Sequence, residues 1–201
     1  MVSPEEGDRM EQAGGERAVI TPASSDNPHN FGPASTRDTT VYTCERPGGD
    51  PGDDTVKINT KTSVQEWVEY MTSESRKIKH VIILLEPTEL DVYDEPGLLQ
   101  AYQEAGIIVH HLPIASPKSF ATIMNQLDDI HAKGERAVAH CTHGMGRSGR
   151  VAAGWLVHKY GLSCEDAVQE GLAAARTAGV ERMGAPRQLQ AWISESSSSA
   201  S

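Results

Sequence analysis

The sequence has no long hydrophobic run and only three cysteines. No stretch of about 18 apolar residues is present, which excludes a membrane-spanning helix. The first 19 residues are acidic and rich in glycine, without the basic start and apolar core of a secretory signal. Cys44, Cys141 and Cys164 lie far apart and form no C-x-x-C pair, which argues against a disulfide framework or a cysteine-based zinc site. These features indicate a reducing compartment, and we expect a cytoplasmic location, with the nucleus as the alternative.

Basic residues are also in deficit. The chain has 18 Lys and Arg against 28 Asp and Glu, which gives a formal net charge of −10. A nucleic-acid-binding face needs clustered positive charge, so no nucleic-acid partner is expected. The same charge disfavours docking on anionic membranes. Acidity by itself names no function, since it mainly reports solubility.

Composition divides the chain into three segments. Residues 1–38 are rich in Gly, Pro, Ser, Asp and Asn, and we predict a disordered N-terminal arm. Residues 195–201 are rich in serine and are predicted to form a flexible tail. Residues 39–194 between them are predicted to form one folded domain, large enough to fold without disulfides or a structural metal.

Strand-like and helix-like patterns alternate within residues 39–194. Strands are predicted at 39–44, 80–85, 107–112 and 136–140, and helices from Ser63, from Pro96 to Gly106, from Ser116-Pro117 to Gly134, and at 148–160, 163–178 and 186–193. The run HVIILL at 80–85 is apolar throughout, as in a strand covered on both faces. The alternation predicts an α/β fold with a central, mostly parallel sheet flanked by helices.

The stretch HCTHGMGRSGR at 140–150 carries the most specific signal. It begins at the end of a predicted strand and leads into a predicted helix. A loop in this position can turn successive backbone N–H groups, and the positive end of the helix dipole, toward one anion. Gly144 and Gly146 permit the positive φ angles that such a turn needs. Arg147, six residues after Cys141, can add two parallel hydrogen bonds to a phosphate.

Cys141 is placed to act as a nucleophile at the base of this anion site. The field that binds phosphate also favours a thiolate, because helix N-termini and nearby cations lower the pKa of cysteine thiols. A thiolate beneath a bound phosphate can attack phosphorus in line. Ser148 follows the arginine directly, and its hydroxyl can donate to the sulfur when water breaks the phosphocysteine.

The motif HC-x5-R-S resembles the signature of protein-tyrosine and dual-specificity phosphatases, and the likeness covers roughly residues 39–193. The stretches IIVHHLPI at 107–114 and AGVERMGAPRQLQAW near the end are similar to segments of small dual-specificity enzymes, notably kinase-associated phosphatases. The resemblance implies Cys141 as nucleophile, Arg147 as phosphate ligand, Ser148 as hydroxyl aid and His140 as the residue that tunes the thiol. The implied phosphate-binding residues are Thr142, His143, Gly144, Met145, Gly146 and Arg147.

The same resemblance implies the reaction and its partners. The expected activity is phosphomonoester hydrolysis through a phosphocysteine intermediate, on a phosphorylated protein or a small phosphomonoester. No metal or cofactor is needed, because Arg147 and backbone dipoles stabilise the phosphoryl charge. We expect a monomer.

The sequence departs from the family at the proton donor. Family members usually carry an aspartate two residues after the Pro-Ile pair, where this chain has Ser116. General-acid help is typically worth about 10²–10⁴-fold in rate. The loop after the strand at 80–85 is expected at the same sheet edge as Cys141, which makes Asp91 and Asp94 the first candidates for the missing acid. Glu86, Glu89 and His143 are the weaker candidates.

Two rival functions remain open. A pseudophosphatase would use the intact loop to hold a phosphorylated partner without efficient turnover, and the replacement at Ser116 motivates this alternative. A rhodanese-type sulfurtransferase also cups an anion over a cysteine, but its loop is one residue shorter and lacks the Arg147-Ser148 ending. Cys44 and Cys164 are expected to be buried thiols without a catalytic role.

Overall fold

Four parallel strands and one short antiparallel strand form the central sheet. The computed structural model describes residues 27–49, 61–116 and 118–198. The strands are β1 (Gly32–Pro33), β2 (Val41–Glu45), β3 (Ile78–Ile83), β4 (Ile108–His111) and β5 (Arg136–Cys141). They lie in the order β1-β2-β5-β3-β4, and only β1 runs antiparallel to its neighbour. The predicted α/β fold with a mostly parallel sheet is confirmed.

Helices cover both faces of this sheet. They are α1 (Lys61–Thr72), α2 (Leu98–Glu104), α3 (Ser119–Ala132), α4 (Gly146–Tyr160), α5 (Cys164–Thr177) and α6 (Pro186–Ser198), with a 3₁₀ turn at Pro87–Leu90. Side chains alternate along the β3 segment: Ile82 packs in the core with α3–α6, and Val81 and Ile83 pack in the core with α1 and α2. Burial on both faces explains why residues 81–85 are apolar throughout, whereas Lys79 earlier in β3 is exposed.

The ends of the folded part differ from the prediction. Residues 27–38 were predicted to belong to a disordered arm, yet β1 lies within them, and Ala34 and Ser35 are buried. Polar composition misled here, because the hydrogen bonds of Asp38 anchor this segment together with the core packing of Phe31 and Ala34. The remainder of that predicted arm lies outside the described residues. The predicted flexible tail is also wrong for residues 195–198, which continue α6.

Two predicted helix starts are wrong as well. Ser63 lies inside α1 and is not its cap. Helix α3 begins at Ser119, after Lys118 in a left-handed conformation with φ 61°, instead of at Ser116-Pro117. Ser116 N donates to the carbonyl of Pro113 in a turn instead, at 3.1 Å. Pro117 lies outside the described residues.

Buried Asp38 ties the segment before β2 to helix α4. Its Oδ1 accepts the backbone N–H groups of Thr40 and Val41 at 2.9 and 2.7 Å. Its Oδ2 accepts the indole N–H of Trp155 at 2.7 Å and the hydroxyl of Tyr160 at 2.9 Å. One carboxylate therefore satisfies four donors, in a part of the chain that composition alone assigned to the disordered arm.

We expect Asp38→Ala to lower the free energy of unfolding by about 3 kcal/mol, because it leaves several buried donors without an acceptor. Urea unfolding followed by circular dichroism measures this loss. Asp129→Ala, at an exposed position of α3, is the matched control and should change stability by less than about 0.5 kcal/mol. Equal stability of the two variants would contradict a structural role for Asp38.

Neither a membrane-spanning helix nor a metal-binding cluster is present among the described residues. No helix within them is both long and apolar enough to cross a membrane. They also hold no group of three or more His, Cys, Asp or Glu side chains that could bind a metal ion.

Candidate active site

The loop between β5 and α4 lies at the carboxyl edge of the sheet. Strand β5 runs between β2 and β3, so the segments that follow these two strands flank the loop on either side. Gly144 has φ +70°, and a Cβ on it would lie 2.4 Å from the carbonyl carbon of Cys44 at the end of β2. No other residue fits there without moving the backbone. The glycine that the sequence assigned to a tight turn is therefore also a close packing contact.

Carbonyl groups of this loop are bound on its outer side. Cys141 O accepts from Arg46 N at 2.9 Å, His143 O from Asn30 Nδ2 at 3.2 Å, Gly144 O from Arg182 Nη1 at 2.7 Å and Met145 O from Gly149 N at 3.0 Å. In a trans peptide the C=O and the following N–H point in opposite directions. The N–H groups of Thr142, Gly144, Met145 and Gly146 therefore point away from those partners. This is the arrangement that converging amides need to bind an anion.

Cys141 is the last residue of β5 and is only 3% exposed. The hydroxyl of fully buried Ser148 donates to its Sγ over 3.0 Å. Because α4 begins at Gly146, two residues before the predicted start, Ser148 lies in the first helical turn. The sulfur therefore lies beside a helix N-terminus, where the helix dipole stabilises negative charge.

The side chain of Arg147 is bound end-on by the carboxylate of Glu89. Nη1 donates to Glu89 Oε2 at 2.5 Å and to the Leu84 carbonyl at 3.4 Å. Nη2 donates to Glu89 Oε1 and to Thr142 Oγ1, both at 2.8 Å. The hydroxyl of Thr142 in turn donates to Glu89 at 3.0 Å. Both Nη nitrogens are thus occupied by groups of the protein itself.

The pair is strongly charged. Burial acts to raise the pKa of Glu89, but hydrogen bonds from Arg147 and from the backbone of Glu86 outweigh it and lower that pKa to about 2. The hydrogen bond to Glu89 in turn raises the pKa of Arg147. Glu89 is therefore an anion at neutral pH and does not serve as a proton donor there.

The first candidates for the general acid do not take this position. Asp91 is the exposed C-cap of the 3₁₀ turn, and exposed Asp94 lines a groove between α1 and α2. The prediction that this loop shares an edge with Cys141 is correct, but the carboxylate that reaches the β5–α4 loop is that of Glu89. Glu86 caps the same turn, in a reciprocal pair of hydrogen bonds with Glu89. Ser116 is exposed.

His140 faces away from the sulfur. It packs with α1 and α2, its Nε2 lies 3.3 Å from the hydroxyl of Tyr102, and the ring meets Trp67 edge-on. Burial, with the charges of Arg46 and Arg147, lowers the pKa of His140 to about 3, so the ring is neutral. Its Nδ1 has no hydrogen-bond partner among the described residues. The thiol-tuning role of His140 gains no support from these contacts.

Three residues that contact the β5–α4 loop belong to no recognisable sequence motif. Asn30 belongs to the segment assigned to the disordered arm, Arg46 lies just after the strand predicted at 39–44, and Arg182 lies in the closing stretch, where no role was given to any residue. Each is polar and contacts the loop through backbone carbonyl or N–H groups. Such bonds leave no motif, because many residue types can make them.

Comparisons with known proteins find related sequences and related folds. The human protein named Cyclin-dependent kinase inhibitor 3 is 36% identical over 86 residues, which are 40% of this chain and 41% of that protein. The chain thus aligns with about two fifths of that relative's length. A kinase-associated phosphatase structure, with serine replacing its catalytic cysteine, has a TM-score of 0.61 and 24% identity, covering 87% of this chain and 94% of that one.

The structure of Tk-PTP in its active form has a TM-score of 0.56 and 22% identity, over 79% of this chain and 92% of that one. The fold is therefore that of the dual-specificity and tyrosine phosphatases. A sequence profile of the family described as Cyclin-dependent kinase inhibitor 3 (CDKN3) matches residues 44–168, more than half of the chain. The chain belongs to this family of phosphatase-fold proteins.

Proposed function

We propose that the protein is a cysteine-dependent phosphomonoester hydrolase of the protein-tyrosine/dual-specificity type. The observation that carries the proposal is the pairing of Cys141 Sγ with the Ser148 hydroxyl at 3.0 Å, beneath a loop whose carbonyls are bound on the outside. That arrangement holds a sulfur, converging amides and the start of a helix around one space. Phosphorylated proteins are the expected substrates.

In the first step the Cys141 thiolate forms a bond to phosphorus, and the bond from phosphorus to the leaving oxygen breaks. The leaving oxygen takes up a proton. In the second step water attacks phosphorus and releases a proton to the solvent, the S–P bond breaks, and the electron pair returns to sulfur, which accepts a hydrogen bond from Ser148. Inorganic phosphate is then released. Arg147 and the loop amides bind the phosphoryl oxygens throughout.

The replacement at Ser116 shapes the substrate preference. With Glu89 ionised at neutral pH, the leaving oxygen gains no strong acid from that carboxylate. Phenols, with a pKa of about 10, leave far more readily than the alcohols of serine and threonine. We therefore expect phosphotyrosine and other aryl phosphates to be preferred. Asp91 is the proposed donor of the proton that the leaving oxygen takes up, since Asp94 lines the α1–α2 groove instead.

A panel of phosphotyrosine peptides, phosphoserine and phosphothreonine peptides, aryl phosphates and phosphoinositides tests the proposal, with Cys141→Ser as the inactive control. We expect the wild-type chain to release phosphate from the aryl substrates and Cys141→Ser to release none. Binding without release from any substrate would favour the second candidate, a pseudophosphatase. Ser116 and the occupied Arg147 fork are the observations behind that candidate.

The three cysteines are free thiols, which fits a reducing compartment, and we propose that the enzyme lies in the cytoplasm or nucleus. We also propose that it acts as a monomer, without a metal or cofactor.

Glu89 competes with substrate for Arg147 in this proposal. A phosphate that binds both Nη nitrogens must displace the carboxylate, and a dianion is repelled by it. We expect Glu89→Gln to tighten the binding of inorganic phosphate about fivefold to tenfold, measured as inhibition of aryl phosphate turnover. Because the pKa of Glu89 is about 2, the carboxylate stays ionised from about pH 5 to about pH 8. The difference from wild type should therefore be larger at about pH 8, where phosphate is mostly a dianion, than at about pH 5.

Weaker phosphate binding in Glu89→Gln would contradict this competition and would show that the carboxylate orients Arg147. Glu104→Gln provides the matched control, because Glu104 ends α2 and lines the α1–α2 groove. Its phosphate affinity should equal that of wild type.

A further inference from the structure

Arg182, between α5 and α6, joins three distant parts of the chain. Its Nη1 donates to the Gly144 carbonyl in the β5–α4 loop and to its neighbour Glu181, both at 2.7 Å. Its Nη2 donates to the carbonyls of Thr43 in β2 at 2.9 Å and Asn30 at 3.1 Å. All four acceptors are neutral backbone oxygens, so none of these contacts cancels the charge of the guanidinium.

The charge of Arg182 is held in a confined place. Its Nε is fully buried and has no hydrogen-bond partner among the described residues. Burial lowers the pKa of Arg182 to about 10, while the nearby thiol groups of Cys44 and Cys141 act in the opposite direction. The side chain therefore remains a cation at neutral pH.

The contact with Gly144 also fixes the shape of the loop. Gly144 is the residue whose missing Cβ lets the loop pack on the end of β2, and its carbonyl is turned outward toward Arg182. The peptide that follows therefore presents the Met145 N–H on the other side. Met183, which follows Arg182, also binds the loop, since its N–H donates to the Met145 carbonyl at 3.4 Å. Losing the guanidinium would free this peptide to rotate.

We propose that Arg182 is a positioning residue of the phosphate loop, which holds the Gly144 carbonyl outward and so turns the following Met145 N–H toward the bound phosphate. This inference deepens the proposed function and rests on it for its purpose. It assigns a second arginine to the site besides Arg147. Arg147 is a ligand of the phosphate in the proposed reaction, whereas Arg182 acts through the loop.

The test is the affinity for inorganic phosphate, measured by isothermal titration calorimetry at about pH 7. In Arg182→Met we expect this affinity to fall about tenfold, because the peptide between Gly144 and Met145 is free to rotate. Arg176→Met removes an exposed arginine of α5 and is the control, with an unchanged affinity. A folded Arg182→Met protein with the wild-type affinity overturns the proposal.

Arg182→Lys separates charge from hydrogen bonding. It keeps the cation but loses the fork, so phosphate affinity should fall about threefold to tenfold. If Arg182→Met does not fold, this variant decides: unchanged phosphate affinity overturns the positioning role. Calorimetry needs no turnover. A chain that hydrolyses nothing but loses phosphate affinity in these variants would refute the proposed hydrolase activity and leave the role of Arg182 intact.

Discussion

Cys141→Ser is expected to reduce turnover of an aryl phosphate by about 10⁴-fold or more, to the background rate. A serine hydroxyl at this position is held in the same place by the Ser148 contact, but it is not ionised at neutral pH. The site loses its nucleophile while the loop amides and Arg147 keep their geometry. Release of inorganic phosphate, measured under saturating substrate, gives the rate.

Binding should survive this substitution. The outer contacts of the loop do not involve the sulfur, so Cys141→Ser should bind inorganic phosphate within about threefold of wild type. Cys164→Ser is the matched control, because Cys164 is also buried but lies at the start of α5, where it donates to Gln190 at 3.4 Å. Loss of turnover in both variants, or in neither, would contradict Cys141 as the nucleophile.

The parts of the site that could be predicted are residues that lie at a fixed spacing along the sequence. Cys141, Arg147 and Ser148 lie at set distances along one loop, and a strand that leads into a helix places them together. The apolar run at 80–85 likewise predicted a buried strand, because no charged residue interrupts it. These inferences use periodicity and local geometry, which a single sequence contains.

The parts that could not be predicted depend on contacts between distant residues. Glu89 was one of the weaker candidates for the general acid. Nothing in the acidic loop around Glu89 predicts that its carboxylate binds Arg147. Asn30 and Arg182 hold the carbonyls of His143 and Gly144 across more than 30 residues of sequence. Any long polar side chain can make such a bond, so the sequence carries no pattern for it.

Polar composition also misled at both ends of the domain. The segment before β2 has few large apolar side chains, yet Asp38 anchors it to Trp155 and Tyr160 through one buried carboxylate. A hydrogen-bonded anchor of this kind is invisible to a reading based on hydrophobic periodicity.

Arg147→Lys is expected to lower kcat/KM for an aryl phosphate by about 10³-fold. A lysine ammonium keeps the charge, but it cannot donate two parallel hydrogen bonds to a phosphoryl group or to Glu89. The effect should fall mainly on kcat, because the fork contributes most where charge spreads over the phosphoryl oxygens in the transition state.

Arg150→Lys is the control for Arg147→Lys. Arg150 lies one turn further along α4, and its Nη2 donates to Gln188 at 2.9 Å, away from Glu89 and Thr142. Its kcat/KM should stay within about threefold of wild type. If Arg147→Lys also loses less than about tenfold, the fork is not what stabilises the transferred phosphoryl group. In that case the loop amides and the α4 N-terminus carry the stabilisation, because they are the remaining donors around Cys141.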